Sequence, residues 1–224
     1  MEEYFDILSA CPLFRGIDRQ ELGTALDCLR ARVVSLARGE TALSEGDPAS
    51  FVGIVLTGRL QILRTDFFGN RSILAHLAPG ELFGESFACA GVKEVPVTVA
   101  AAEAARVTLI DCRRITGPCG SQCRFHQQMI WNLLQIVAAK NLVFHQKIEV
   151  TSKRTTREKL MTYLMLQAKR QGSLEFEIPY DRQELADYLQ VERSGLSAEI
   201  GKLRRQGTIE AERRRFKICR PLDP

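Results

Sequence analysis

The spacing of apolar residues changes twice along the chain. Before about residue 30 it follows a helical period, with one apolar face formed by Leu22, Ala25, Leu26 and Leu29. From Ala31 to about Cys112, apolar and polar residues alternate in short runs separated by glycines, which predicts β-strands. The helical period then returns and continues to near the end. The pattern predicts an α+β chain with one β-rich segment.

The β-rich segment contains six runs with the character of strands. They begin near Val33, Phe51, Leu60, Ile73, Pro96 and Arg106. Gly69-Asn70 is a hairpin-type turn between two of them. Short, regularly spaced strands with turn glycines are typical of a sandwich or jelly roll. We therefore predict a double-stranded β-helix (jelly roll) over residues 1–117.

A long helix is predicted after the jelly roll, within residues 118–150. Its apolar seam follows heptad-like spacing through Ile130, Leu133, Val137, Asn141, Phe144 and Ile148. A helix of this length has more apolar surface than a small domain can cover, so we expect it to mediate dimerisation. Asn141 would then fix the register of the pair. A helix that packs only on its own domain remains the alternative.

The pattern of apolar residues and turns in residues 151–224 predicts a winged helix-turn-helix. Two helical runs are separated by Gln190–Glu192, about the length of the tight turn in that motif. Asp181 and Glu184 resemble a capping box at the start of the first run. After Gly207 a short hairpin is predicted, with Arg213–Arg215 at its tip. The alternative is an ordinary pair of amphipathic surface helices.

The distribution of charge supports binding to DNA. The net charge is only +4, but residues 151–224 hold 16 basic and 11 acidic side chains, whereas residues 1–150 hold 15 and 16. The positive excess lies in the segment with the predicted helix-turn-helix, as phosphate binding requires. Arg193, Ser194 and Ser197 would meet bases or phosphates. The full set of predicted DNA-binding residues is Arg182, Gln183, Arg193, Ser194, Ser197, Lys202, Arg213, Arg214 and Arg215.

Several classes of protein are not expected. No run of 18 apolar residues predicts a membrane span, and Met1–Tyr4 does not begin a signal peptide, so we expect a cytoplasmic protein. An odd count of seven cysteines argues against a disulfide framework. A metal-dependent dioxygenase would need two histidines and a carboxylate on one metal. The three histidines, His76, His126 and His145, form no His-x-His pair.

The order of the predicted elements, together with two motifs, resembles the Crp/Fnr family of bacterial transcription regulators. The motifs are Gly80-Glu81-Leu82-Phe83-Gly84-Glu85 and Arg182–Leu189 followed by Arg193–Ser197. The resemblance implies that residues 1–117 sense an effector, that residues 118–150 form a homodimer, and that residues 151–224 bind a palindromic operator in double-stranded DNA. RNA polymerase is a further candidate partner, and no enzymatic activity is implied.

The resemblance also implies an effector pocket, for which the candidate residues are His76, Gly80, Glu81, Leu82, Phe83, Gly84, Glu85, Ser86, Val97 and Thr98. The glycines could let backbone N–H groups hold a small anion, although a bare turn is the preferred interpretation. Family members that bind cyclic AMP neutralise its phosphate with an Arg-Ser or Arg-Thr pair. The matching residues here are Glu94-Val95-Pro96-Val97, which include no arginine. Cyclic AMP is therefore not expected, and the sequence does not identify the effector.

A group of soft side chains precedes the long helix. In a helix, Cys119, Cys123 and His126 would share one face, where they could hold zinc or an iron–sulfur cluster or form an oxidisable thiol pair. A buried cysteine face with a capping histidine is the preferred interpretation. Haem, with His76 as a candidate ligand, and an iron–sulfur centre stay open but are not favoured. Family members with an oxygen-sensing cluster use grouped N-terminal cysteines, where this chain has only Cys11 and Cys28.

Overall fold

The computed structural model describes residues 1–65, 67, 71–117 and 123–219. The predicted turn at Gly69-Asn70 and the candidate ligand Cys119 lie outside the described residues. The chain divides into two compact units, residues 1–139 and residues 140–224. No described helix is long and apolar enough to cross a membrane.

The first unit contains two four-stranded antiparallel sheets, as the jelly-roll prediction requires. Their strand orders are β1-β8-β3-β6 and β2-β7-β4-β5. The strands are β1 (Arg32–Leu36), β2 (Thr41–Leu43), β3 (Phe51–Thr57), β4 (Leu60–Thr65), β5 (Arg71–Leu77), β6 (Leu82–Phe83), β7 (Thr98–Ala101) and β8 (Ala105–Asp111). The α-helices that start in this unit are α1 (Phe5–Ala10), α2 (Arg19–Cys28), α3 (Glu85–Ala90), α4 (Cys112–Thr116) and α5 (Phe125–Thr151), and two 3-10 helices cover Glu2–Tyr4 and Pro12–Phe14.

Strand β3 is apolar on both faces because it separates two cores. Val52, Ile54 and Leu56 pack in a cluster with residues of α1 and α2. Val55 points the other way and packs in a second cluster with residues of both sheets. The continuous run from Val52 to Leu56 is therefore that of a central strand, buried on both sides.

The first part of α5 packs on its own unit. Leu133 is 3% exposed and belongs to the same core as Met129. Asn132 is buried, and its Nδ2 donates hydrogen bonds to the carbonyl oxygens of Leu13 (2.9 Å) and Arg15 (2.8 Å). The predicted seam was therefore wrong at Leu133, which is not available to a partner.

An exposed apolar seam with heptad spacing does run along α5, with Leu134 in the place of Leu133. Its members are Ile130, Leu134, Val137, Asn141, Phe144 and Ile148. All of them are exposed except Val137, which is half-buried. Spacings of four and three residues keep them on one side of the helix.

The second unit has the predicted winged helix-turn-helix. Its remaining elements are α6 (Thr156–Gln171), β9 (Glu175–Glu177), α7 (Arg182–Leu189), α8 (Arg193–Arg205), β10 (Ile209–Glu212) and β11 (Arg215–Ile218). The three strands form one antiparallel sheet in the order β10-β11-β9. The turn between α7 and α8 is tight because Gln190 adopts a left-handed conformation with φ of 54°.

The capping box predicted at α7 is present. The Glu184 amide donates to Asp181 Oδ1 (2.9 Å), and the Asp181 amide donates to Glu184 Oε2 (2.7 Å). At α2 the corresponding pair, Asp18 and Glu21, forms no side-chain cap, although its spacing is the same.

We expect Asp181→Ala to lower the free energy of unfolding by about 0.5–2 kcal/mol, because it leaves an amide of the first turn without its acceptor. Asp18→Ala is the matched control, since Asp18 precedes α2 without making this bond. Urea denaturation followed by circular dichroism measures both variants. Equal losses in the two would contradict a specific contribution from the Asp181 cap.

Candidate nucleic-acid interface and sensor site

The two sides of α8 differ in chemistry. Leu196, Ile200 and Leu203 are buried against the core of the second unit. The exposed side carries Arg193, Ser194 and Ser197. Glu192, which precedes the helix, makes no side-chain cap, so the first-turn amides are not occupied by an N-cap side chain. This end of α8 can donate hydrogen bonds to bases or phosphates, as the sequence predicts.

The hairpin between β10 and β11 carries arginines at its tip. Glu212 pairs with Arg215, and Arg213 turns the chain with φ of 49°. All three arginines, Arg213–Arg215, are exposed, and Arg214 lies 3.7 Å from Glu184 of α7. The hairpin thus presents positive charge beside the helix-turn-helix, in the form of a wing that can contact a phosphate backbone.

Three other predicted DNA-binding residues are engaged within the protein. Arg182 is half-buried, with its guanidinium 5.7 Å from the centre of the Phe216 ring. Gln183 Nε2 donates to Asp187 (2.9 Å), and Lys202 Nζ lies 3.7 Å from Glu199. Burial, and then the positive charge of Arg204, lower the pKa of Arg182, so an anion placed near these arginines would relieve their repulsion.

Two arginines that the sequence prediction missed lie in a groove between α8 and the wing. Arg204 and Arg205 line it together with other charged residues, which are Arg215, Lys217, Glu175, Glu210 and Glu212. Arg205 follows Ser194 by 11 residues, which returns to nearly the same side of a helix at about 100° per residue. That periodicity was the available signal, and it places Arg205 on the same side of α8 as Ser194.

The glycine turn that begins the motif lies in the first unit (the sensor unit), and backbone hydrogen bonds hold it in place. The Gly80 amide donates to the Val55 carbonyl (2.8 Å), and the Glu81 amide donates to the Ala78 carbonyl (3.1 Å). The Ala78 amide in turn donates to Glu81 Oε2 (2.7 Å). The amides of Gly80 and Glu81 already have acceptors, so they agree with the preferred interpretation of a bare turn and are not available to an anion.

The other candidate pocket residues serve different parts of the jelly roll. Leu82 and Phe83 are buried in separate cores, and Phe83 covers Gly53 of β3. Glu85 is 2% exposed, and the Ser86 hydroxyl donates to its Oε1 (2.9 Å). His76 is exposed on β5, in the sheet that does not contain Leu82 and Phe83. The predicted set is thus divided between packing and surface positions.

The last two candidate pocket residues, Val97 and Thr98, follow the glycine motif in the sequence, whereas His76 precedes it. Val97 is buried, and Thr98 Oγ1 accepts a hydrogen bond from the Glu45 amide (3.2 Å). Val95 is buried in the core between the sheets. Within residues 94–97, the two valines are therefore buried, whereas Glu94 and Pro96 are exposed, and none of the four is a cation.

Comparison with known families agrees with these two units. Residues 33–116 match the cyclic nucleotide-binding domain, and residues 158–222 match the Crp-like helix-turn-helix domain. The chain belongs to the Crp/Fnr family. This regulator therefore combines an effector-binding domain with a DNA-binding domain of the Crp type.

Two curated relatives of the regulator are transcriptional activator proteins. FnrL of Cereibacter sphaeroides is 26% identical over 210 residues, which cover 90% of this chain and 81% of FnrL. FnrA of Stutzerimonas stutzeri is 27% identical over 216 residues, covering 94% and 86%. Among solved structures, a CprK variant complexed with OCPA superposes with a TM-score of 0.63 at 12% identity, covering 90% of each chain. That likeness supports the fold.

The cysteines of the regulator group differently from the sequence prediction. Cys123 and His126 are brought together, and the third member of their group is Cys28, from the end of α2. Cys112 instead lies beside Cys89, with 3.9 Å between the two sulfurs. Burial, and then the charge of Cys89, raise the pKa of Cys112 to about 12, so this thiol stays protonated at neutral pH. His145 is exposed on α5.

Proposed function

We propose that the regulator acts as a homodimer that binds a palindromic operator and is controlled by an effector other than cyclic AMP. The observation that carries the dimer is the exposed seam on α5. Phe144 and Ile148 are 64% and 62% exposed in the single chain, on the same side of the helix as Ile130 and Leu134. Burying such a row of large apolar side chains against a second copy is favourable.

The charge around the sensor motif supports an effector other than cyclic AMP. Neither the motif, Gly80–Glu85, nor residues 94–97 contain a lysine or an arginine that could neutralise a cyclic phosphate. Burying an anion without a positive partner is costly. A neutral or cationic small molecule, or chemistry at the cysteines, fits these surroundings better.

In the proposed complex, α8 enters the major groove and the wing follows the phosphate backbone. Arg193, Ser194 and Ser197 would reach bases from the start of α8, while Arg204, Arg205 and the wing arginines would neutralise phosphates. A dimer would repeat these contacts on two half-sites, about 34–36 Å apart. Binding to chromosomal DNA implies a cytoplasmic protein, and RNA polymerase is the partner through which such a regulator would activate transcription.

Arg193→Ala tests the base-reading role. We expect it to weaken binding to a selected operator by about 1–3 kcal/mol and to change binding to random duplexes little, since a base contact carries sequence information. Alanine at Arg213, Arg214 and Arg215 should weaken both. It should also reduce the slope of log affinity against log salt by about 1 for each phosphate that is no longer neutralised. Fluorescence anisotropy at several salt concentrations measures both effects.

The control for this comparison is Arg170→Ala, which removes an exposed arginine from the last turn of α6, outside the helix-turn-helix. It should leave operator affinity nearly unchanged. Equal weakening on operator and random DNA by Arg193→Ala would make Arg193 a phosphate contact. Unchanged binding to both would remove Arg193 from the interface.

A further inference from the structure

Two elements of the sensor unit that are far apart in sequence bring three metal-binding side chains together. Cys28 is the last residue of α2, whereas Cys123 lies two residues before α5 and His126 is the second residue of α5. One ligand atom from each residue, a sulfur from the cysteines and a ring nitrogen from the histidine, lies within 4.8 Å of the others. No sequence motif spans this group, because 95 residues separate Cys28 from Cys123.

The distance between the two sulfurs suits a shared metal ion. Cys28 Sγ and Cys123 Sγ are 3.8 Å apart. Two Zn–S bonds of about 2.3 Å at a tetrahedral angle would place the sulfurs about 3.8 Å apart. A disulfide would require about 2.05 Å. The two thiols therefore need no rearrangement of the backbone to bind one ion between them.

The surroundings of His126 are those of a metal ligand. The side chain is buried, with 7% exposed, and its Nε2 lies 3.0 Å from the Arg114 carbonyl oxygen. A carbonyl oxygen only accepts, so Nε2 is the donor in this hydrogen bond, and the tautomer with its proton on Nε2 has its lone pair on Nδ1. Nδ1 is buried and has no hydrogen-bond partner among the described residues. Histidines that bind metals commonly donate their second ring N–H to a carbonyl in this way.

We propose that Cys28, Cys123 and His126 bind one Zn²⁺ ion in each chain. Two thiolates and one imidazole are ligands that zinc prefers, and three protein ligands leave a fourth position open to solvent or a further donor. The two cysteines bind as thiolates, so binding releases their protons to solvent. The ion would join the end of α2 to the start of the long helix α5, inside the sensor unit.

The alternative chemistry for this group is weaker. A four-iron cluster takes four cysteine thiolates, whereas this group offers two thiols and a histidine. The pair Cys89 and Cys112, the other close thiols among the described residues, has no histidine grouped with it. The donors at Cys28, Cys123 and His126 therefore suit zinc better than an iron–sulfur cluster. They also suit zinc better than the pair of Cys89 and Cys112 does.

Cobalt titration of the full-length, reduced, metal-free protein tests the proposal, with Co²⁺ as the coloured probe for the zinc site. We expect absorption from thiolate-to-Co²⁺ charge transfer that saturates at one ion per chain and is abolished by added Zn²⁺. Cys28→Ser and Cys123→Ser should each weaken Co²⁺ binding by about 100-fold or more, since loss of an outer partner alone costs 10–100-fold. His126→Gln should weaken it too, with the charge-transfer bands retained at saturation.

Cys219→Ser is the matched control because Cys219 is exposed on the other unit, where its sulfur lies near Glu210. It should bind Co²⁺ as the unchanged protein does. Far-ultraviolet circular dichroism shows whether each variant is folded. In a folded variant that fails to bind, Zn²⁺ should no longer raise the melting temperature, whereas it should do so in the unchanged protein and in Cys219→Ser.

Three outcomes would overturn the proposal. The first is the absence of charge-transfer absorption in the unchanged protein. The second is undiminished absorption in Cys28→Ser, which would assign the metal to other thiols. The third is a disulfide between Cys28 and Cys123 in protein prepared without reductant, found as a cross-linked peptide pair, together with no binding of Co²⁺ after the disulfide is reduced. That result would make the two thiols a redox pair.

Discussion

Phe144→Arg should convert the proposed dimer into a monomer and reduce operator affinity by about 10³-fold or more. Phe144 lies in the exposed seam of α5, so an arginine there would put a charge into the apolar interface of two copies. A monomer contacts one half-site, and its affinity falls towards that of non-specific binding, which is about 10³–10⁷-fold weaker for typical regulators. Sedimentation equilibrium gives the mass, and fluorescence anisotropy gives the affinity for an operator selected with the unchanged protein.

Gln146→Arg is the control for Phe144→Arg. Gln146 is exposed on α5, and two residues further along a helix it points about 200° away from Phe144. This variant introduces the same charge outside the seam and should remain a dimer with nearly full affinity. A Phe144→Arg protein that stays dimeric would show that α5 does not hold the two copies together.

Phe83→Ala should lower the free energy of unfolding by about 3–5 kcal/mol, the range for removing a buried aromatic ring. Phe83 is 1% exposed in the core between the sheets, although it stands within the glycine motif that would be expected to serve the effector. Urea denaturation followed by circular dichroism measures the change. Phe87→Ala, which removes a half-buried ring from α3, is the control and should cost less.

Gly53 provides a second test of the same contact. An added Cβ at Gly53 would overlap the Phe83 ring, so Gly53→Ala alone should destabilise the protein by about 1–3 kcal/mol through overpacking. In the Phe83→Ala background that clash disappears, and the double variant should be more stable than the sum of the single losses predicts. Strict additivity would mean that the ring does not limit the space at Gly53.

The fold could be predicted from the sequence largely because local and global signals agree. Turn glycines and alternating runs between Val33 and Ile110 predict the strands, and the structure confirms the Crp/Fnr architecture. The tight turn after Leu189 was visible because both helices beside it have clear apolar faces. The seam was misassigned by one residue, because the spacing through Leu133 contains two consecutive steps of four and only Leu134 keeps the alternation of three and four that a heptad requires. Leu133 is instead buried in the core of the first unit.

The sites were less predictable because they depend on contacts between distant residues. Arg182 is adjacent to Gln183 in sequence, yet its position over Phe216 depends on the folding of β11, far along the chain. The association of Cys28 with Cys123 has the same cause, since it depends on how α2 meets α5. Sequence spacing reports neighbours along one helix, so it suggested Cys119 and could not suggest Cys28.

The role of Phe83 bears on how such regulators are sorted by motif. The amides of Gly80 and Glu81 hold a turn through hydrogen bonds, and Phe83 packs its ring against Gly53 of β3. Both contacts stabilise the jelly roll, so a protein can retain this run whichever small molecule it binds. A sequence search for this run therefore finds proteins that share these contacts within the jelly roll, and it does not separate them by ligand. Grouping by ligand would do better to weigh the charge carried by residues 94–97.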